Sequence, residues 1–233
     1  MITLIGTGHV FNLRARVREE IFRRSPTVVC LELDPARYMS LKSPERAKGK
    51  APFVYRMLAN FQDRIAEGYG VKPGDEMLAA SDAATDLSAS ICLIDKDAQQ
   101  TFQRLMKEMP FKEKMHLLGS SIAGVFTPGK SVEAQVKELE DNYAQYFEVL
   151  GKKFPTLKRI LIDERNDHMA DALTQLHGSH DRVVAVMGDG HVDGILAILQ
   201  GRGIPVEVVR LKELRTERPA VGTASTGFTV EHR

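Results

Sequence analysis

The same phrase occurs twice in this chain of 233 residues, as an apolar run followed by Gly-x-Gly-His-Val. The two copies occupy residues 2–10 and 183–192. Apolar runs that are rich in β-branched residues and bounded by glycine are typical of buried strands. The glycines allow the backbone to turn sharply as it leaves each strand. Because equivalent turns present His9 and His191, we predict that both histidines lie close together in a shared sheet and are the leading candidates for functional groups.

The remaining pattern predicts an α/β fold. Further apolar runs predict strands at 27–33, 90–94 and 205–209. Apolar residues at helical spacing predict helices at 12–24, 35–41, 53–68, 73–85, 97–107, 111–124, 131–150, 156–177 and 192–200. The chain thus opens and closes with β-α-β units, which predicts a mostly parallel central sheet built from two repeated units and flanked by helices. We expect one domain over residues 1–214, a helical insertion or cap at about 100–180, and a mobile tail at 215–233.

Composition excludes several classes of protein. Thirty-two basic and thirty-one acidic residues leave a net charge of +1. The overall charge therefore does not favour binding to nucleic acid or to an anionic membrane. No window reaches the ~18 apolar residues of a membrane span, and the chain opens directly on a strand rather than a signal peptide. The two cysteines, Cys30 and Cys92, lie in apolar runs and are expected to be core thiols. We therefore predict a cytoplasmic protein with no nucleic-acid partner.

Titratable side chains follow four of the predicted strands at their carboxyl ends. These residues are His9, Glu32, Asp34, Asp95, Asp97, Asp189 and His191. In open α/β sheets, ligands bind beyond the carboxyl ends of the strands. A mixture of imidazoles and carboxylates suits a divalent cation or the acid–base activation of water. The sequence therefore predicts a site at this edge of the sheet.

Each of these residues also has a structural interpretation. A histidine after a glycine turn can be a capping or packing residue. Glu32 lies inside an apolar run, so it needs a cation, a hydrogen-bond partner or a raised pKa. Asp34, Asp95 and Asp97 can act as caps of the helices that follow them.

A second polar cluster lies on a predicted helix at residues 163–168. Glu164 and Asp167 are three residues apart on one face, as are Arg165 and His168. A solvated charged turn explains this pattern equally well. The cluster therefore supplies further candidates without deciding between the two interpretations.

Two more arginines, Arg37 and Arg104, are either surface residues or partners of the acidic edge. Near that edge, a guanidinium could pair with a carboxylate or hold a substrate oxygen. Other known chemistries have less support. The chain contains neither a Gly-x-Ser-x-Gly elbow nor a P-loop. The Gly6–Gly8 turn matches part of the glycine-rich motif of dinucleotide-binding proteins, but Phe11 occupies the position of the third glycine.

Five ordered phrases together resemble the TraB/PrgY/GumN family, which includes the TIKI membrane-associated metalloproteases. They span roughly residues 2 to 212 and lie at 6–9, 29–37, 93–104, 163–170 and 186–195. The family is similar to erythromycin-esterase-like and haem-binding ChaN-like folds, so the resemblance implies an α/β core built from two repeated units. Its Asp-Arg-Asp phrase is Asp95-Lys96-Asp97 here, which puts in doubt any role that needs a guanidinium at the middle position.

By resemblance, the paired histidine motifs and an acidic residue of TIKI-type active sites correspond to His9, His191 and Glu32. The resemblance and the polar edge together predict a metal-dependent hydrolase that acts on a peptide or amide bond and processes or inactivates a signalling peptide. His9 and His191 would bind manganese, cobalt or zinc, or carry protons. Glu32 would be a third ligand or the general base. Arg165 or Arg37 would stabilise charge on the carbonyl oxygen, with Glu164 orienting one of these groups.

Two alternatives stay open. The first is a non-catalytic binding module in which the histidines hold haem, a metal or a peptide. The second is a regulatory protein that sequesters a signalling peptide. A homodimer is also left open, since the predicted helices 131–150 and 156–177 could pack within one chain or between two.

Overall fold

A computed structural model describes residues 1–8, 11–43, 74–116 and 151–216. The strands are β1 (Ile2–Thr7), β2 (Val28–Leu31), β3 (Ser90–Leu93), β4 (Val183–Gly188) and β5 (Val206–Val209). They form a five-stranded parallel sheet in the order β3-β2-β4-β1-β5. The expected α/β class is confirmed, and the described sheet is entirely rather than mostly parallel. The helices predicted at 53–68 and 131–150, part of the one at 111–124, and most of the tail lie outside the described residues.

The helices are α1 (Arg14–Arg24), α2 (Pro35–Lys42), α3 (Asp75–Asp86), α4 (Ala98–Glu108), α5 (Pro155–Lys158), α6 (Glu164–His177), α7 (Asp189–Gly201) and α8 (Leu211–Arg215). A π-helical turn, Arg159–Asp163, interrupts the single helix predicted at 156–177. Helix α7 begins three residues earlier than predicted, so His191 lies in its first turn rather than in the loop before it.

The two predicted β-α-β units interlock. Strand β4 lies between β1 and β2, while β1 lies between β4 and β5. The repeated apolar runs are therefore direct neighbours at the centre of the sheet, with Ile2 paired to Val183 and Thr7 to Gly188. Their glycine-rich ends consequently leave the sheet side by side.

Apolar layers lie on both faces of the sheet, as is usual for parallel strands. Side chains alternate along β1, so Ile5 packs with α1, α3 and α8 while Leu4 packs with α6 and α7. Both Ile5 and Leu4 are fully buried. With both faces covered, the polar groups of this part of the molecule collect at the strand ends.

Candidate functional site

The carboxyl ends of β2, β3 and β4 lie side by side and gather the polar residues that follow these strands. Glu32 continues the pairing of β2 with β4, since its backbone N–H donates to the Val186 carbonyl at 3.1 Å. Asp95 follows β3 and His191 follows β4, and both are buried. These residues form, with Arg165 and Asn166 from α6, what we term the Glu32–His191 cluster.

Glu32 is held from three directions. Its Oε2 accepts a hydrogen bond from the Gly188 backbone N–H at 2.6 Å. Its Oε1 is paired with Arg165 and lies 3.3 Å from Nε2 of His191. Burial by itself raises the pKa of Glu32, but His191, Arg165 and the Gly188 N–H more than offset it and hold the pKa below its usual range. Glu32 is therefore a largely buried carboxylate whose charge is satisfied by cations and hydrogen bonds.

His191 is fixed by an amide as well as by the carboxylate. Its Nδ1 lies 2.6 Å from Oδ1 of Asn166, which is buried on α6. Space for this contact is provided by Gly194, because a Cβ there would lie 2.2 Å from Nδ2 of Asn166. Both ring nitrogens of His191 thus face defined protein partners.

Arginines and carboxylates alternate beside the cluster. Arg165 donates from Nε to Asp95 at 2.9 Å and from Nη1 to the Leu161 carbonyl at 3.0 Å, in addition to its pair with Glu32. Arg37 joins Asp95 to Asp34, donating from Nε to Asp34 at 2.7 Å. The resulting chain of charges connects the ends of β2 and β3.

The predicted capping roles of two aspartates are present in the structure. The side chain of Asp34 accepts from the Arg37 backbone N–H at 2.9 Å and caps α2. Asp97 accepts from the Gln100 N–H at 2.7 Å and caps α4. Asp95 does not cap α4 but lies between two arginines.

Asp189 connects the end of β4 to the segment after β5. Its Oδ1 accepts from the Leu211 backbone N–H at 2.9 Å, and its Oδ2 is 2.7 Å from Nη2 of Arg210. Gly6 makes this close approach possible, since a Cβ there would lie 2.1 Å from Oδ1 of Asp189. These partners lie outside the Glu32–His191 cluster, and they favour a structural role for Asp189.

An open cleft of about 420 Å³ adjoins the cluster at Asp95. It is lined by Asp95, Lys96, Asp97, Gln100, Thr101, Arg104, Ile160, Glu164 and His168. Arg104 pairs with Glu164 along this cleft, and Arg159 also donates to Glu164, at 2.7 Å. Lys96, which replaces the arginine expected from the family phrase, lies 3.7 Å from Glu164. Glu164 thus contacts basic residues of the cleft and not His191 or Glu32.

The structure therefore separates the candidates into groups. Glu32, His191 and Arg165 are in contact, and Asp95 links them to Arg37. Asp167 is exposed on α6, and His9 lies outside the described residues. Reasoning from the sequence missed Asn166, the Gly188 N–H and Gly194. Helical spacing offered a signal for Asn166, which precedes the buried residues Met169, Ala170 and Leu173 by three, four and seven positions.

Comparison with known proteins identifies the family. The family model described as TraB/PrgY/gumN matches residues 1–208. The chain belongs to the TraB/PrgY/gumN family. An uncharacterised protein of Methanocaldococcus jannaschii is 32% identical to it over 246 residues. That match covers 98% of this chain and 62% of the archaeal protein, so the chain spans less than two thirds of its relative's length.

Membership in the TraB/PrgY/gumN family confirms the resemblance carried by the ordered phrases. The phrases at 29–37 and 186–195 supply Glu32 and His191, and the phrase at 163–170 supplies Arg165 and Asn166. Residues distant in the sequence thus form one cluster. Among the described residues, no helix combines the length and apolar character of a membrane span.

Proposed function

We propose that this chain hydrolyses a peptide or amide bond at the Glu32–His191 cluster. One observation carries the proposal. An imidazole and a largely buried carboxylate face each other, with Nε2 of His191 3.3 Å from Oε1 of Glu32. They lie at the edge of a parallel sheet at which open α/β folds bind their ligands. A cleft large enough for part of a small peptide adjoins them at Asp95. Histidine and glutamate side chains placed in this way are able to act as the general acid or base that activates water.

The hydrogen bonds around His191 define how the pair would exchange a proton. With the amide oxygen of Asn166 facing Nδ1, that nitrogen donates, and Nε2 is left to face Glu32. When the ring is protonated, Nε2 donates to the carboxylate. When the ring is neutral, the lone pair of Nε2 faces the carboxylate oxygen, and the two repel each other. A proton taken from water removes this repulsion, and so does a bound cation. His191 would therefore take the proton of an attacking water, and Glu32 would stabilise the imidazolium that forms.

The two arginines would have different roles. Arg165 has 16% of its side chain exposed and donates from Nε, Nη1 and Nη2 to protein acceptors, so it positions Glu32 and Asp95. Arg37 has 34% of its side chain exposed. We therefore favour Arg37 over Arg165 for stabilising negative charge on the carbonyl oxygen of a substrate.

A divalent cation such as manganese, cobalt or zinc fits part of this arrangement. Nε2 of His191 and Oε1 of Glu32, which lie 3.3 Å apart, would be the two described atoms that hold such a cation. In the described part of the chain, no three His, Cys, Asp or Glu side chains are grouped to hold a metal. By resemblance to the family, His9 would be the third ligand of the cation. A bound cation would supply Lewis acidity and a more acidic water.

A non-catalytic binding module is the second candidate. The observation that favours it is the complete set of protein partners around Glu32 and His191, which leaves neither side chain directed only at a ligand. A peptide or metal would then be held without turnover.

The experiment is cleavage of a peptide library by the purified chain, with chelator and with each divalent metal. We compare His191→Asn, Glu32→Gln and His9→Ala with His180→Asn, a control at the opposite end of β4. Loss of about 10²-fold or more in turnover in the Glu32 and His191 variants, with the control unchanged, supports hydrolysis. Unchanged turnover in both removes the cluster from the mechanism. Saturable peptide or metal binding without any product favours the binding module.

A further inference from the structure

The chain's two cysteines are direct partners across neighbouring strands. Cys30 on β2 is paired in register with Cys92 on β3. Paired residues of adjacent parallel strands project from the same face, and both cysteines pack into the apolar layer under α6 and α7. Adjacent strands lie about 4.8 Å apart, which is within the Cα separation that a disulfide spans. Both residues are free thiols.

The two thiols differ in access. Cys30 is fully buried on β2, whereas Cys92 is half-buried on β3, at the edge of the described sheet. This differs from the expectation of two core thiols, because β3 pairs with β2 alone among the described strands. Solvent and small oxidants therefore reach Cys92 more readily than Cys30.

The contact also makes Cys92 more acidic. The hydrogen bond from Cys30 lowers the pKa of Cys92 to about 7, although burial acts in the opposite direction. A substantial fraction of Cys92 is then the nucleophilic thiolate at neutral pH.

We propose that Cys92 and Cys30 form a peroxide-sensitive dithiol, in which Cys92 attacks the oxidant and Cys30 resolves the product into a disulfide. The Cys92 sulfur bonds to one oxygen of hydrogen peroxide as the O–O bond breaks, which gives a sulfenic acid and, with the thiol proton, water. The Cys30 sulfur then displaces the hydroxyl group, an S–S bond forms, and a second water leaves. Two thiols are oxidised and one peroxide is reduced to two waters.

This modification site does not depend on the proposed hydrolase activity. It lies beside the same region of the fold, because Cys30 precedes Glu32 by two residues and a crosslink would join β2 to β3 next to the polar edge. The compound that reacts at this site would be a hydroperoxide.

The test treats the reduced full-length chain with hydrogen peroxide and then alkylates the remaining thiols for peptide mass spectrometry. We expect a Cys30–Cys92 linked peptide from a monomer with an unchanged circular dichroism spectrum, and return of both thiols with dithiothreitol. Two free thiols after peroxide treatment, or a crosslink between two chains, would overturn the proposal.

Single substitutions assign the roles. In Cys30→Ser, we expect Cys92 to react with iodoacetamide at least about tenfold faster than Cys30 does in Cys92→Ser. Equal rates, or a faster Cys30, would contradict the assignment of the attacking thiol. Differential labelling of the unmodified chain gives the same ratio if either variant fails to fold.

Discussion

The guanidinium of Arg165 forms an ion pair with the carboxylate of Glu32, although the two residues lie 133 positions apart in the sequence. The pair has little exposure, with 16% and 11% of the two side chains accessible. Arg165 also bonds to Asp95. Because a buried ion loses its hydration, removing one partner is far more costly than the net gain from making the pair. Arg165 therefore ties α6 to the carboxyl edge of the sheet.

Arg165→Gln should destabilise the fold by about 3–5 kcal/mol, because it leaves Glu32 and Asp95 buried without their shared cation. Arg18→Gln is the matched control, since Arg18 pairs with Asp86 at the surface and should cost about 1 kcal/mol or less. Urea denaturation followed by circular dichroism measures both free energies of unfolding. Equal losses in the two variants would show that the ion pairs of Arg165 with Glu32 and Asp95 contribute no more stability than a surface pair.

Acid should destabilise the chain through Glu32. Its pKa is lower in the folded state than the ordinary value of 4.5, so the unfolded state takes up the proton first. The stabilisation is present above about pH 5 and is lost as the pH falls towards the folded-state pKa, with a slope of about 1.4 kcal/mol per pH unit. Glu32→Gln should show a shallower loss between about pH 5 and pH 3.

The control for this titration is Glu19→Gln, because Glu19 is exposed and pairs with Arg16 on the same helix. Unfolding free energies are measured in urea at several pH values for all three proteins. A slope for Glu32→Gln that equals the slope of the parent chain would contradict the assignment. Asp34 and Glu20 also have lowered pKa values, so some acid sensitivity should remain in every variant.

The sequence was sufficient to predict the α/β class and to identify Glu32 as an acidic residue inside an apolar run, because both features depend on local pattern. An ionised carboxylate at Glu32 requires partners, and the structure supplies Arg165 and the Gly188 N–H. The identity of those partners depends on how α6 packs over the sheet, which no local pattern specifies. The interlocked strand order escaped prediction for the same reason. Asn166 was missed because it lies within a run of charged residues, although its side chain belongs to the buried face of α6.

Gly194→Ala should uncouple His191 from Asn166. A methyl group at this position would lie 2.2 Å from Nδ2 of Asn166, so the amide has to move. We expect a loss of about 1–3 kcal/mol from overpacking, together with a changed imidazole NH signal of His191 in nuclear magnetic resonance spectra. Gly201→Ala, on the same helix, meets nothing within 4 Å and should be neutral or stabilising by up to about 1 kcal/mol. An unchanged imidazole signal in Gly194→Ala would mean that Asn166 adjusts without releasing the ring.

Asp189→Ala tests whether this aspartate is structural. Its carboxylate is 16% exposed and holds both the Leu211 N–H and Arg210, so removing it leaves a backbone donor and a cation without their partner. We expect a loss of about 1–3 kcal/mol in the free energy of unfolding in urea. Asp193→Ala is the matched control, because Asp193 pairs with the same arginine but is 70% exposed and should cost less than about 1 kcal/mol. Because Asp189 connects β4 to α8, its loss should also increase hydrogen exchange of the Leu211 amide, whereas the Asp193 variant should leave that amide protected. Equal stabilities and equal exchange in the two variants would contradict a structural role and return Asp189 to the set of functional candidates.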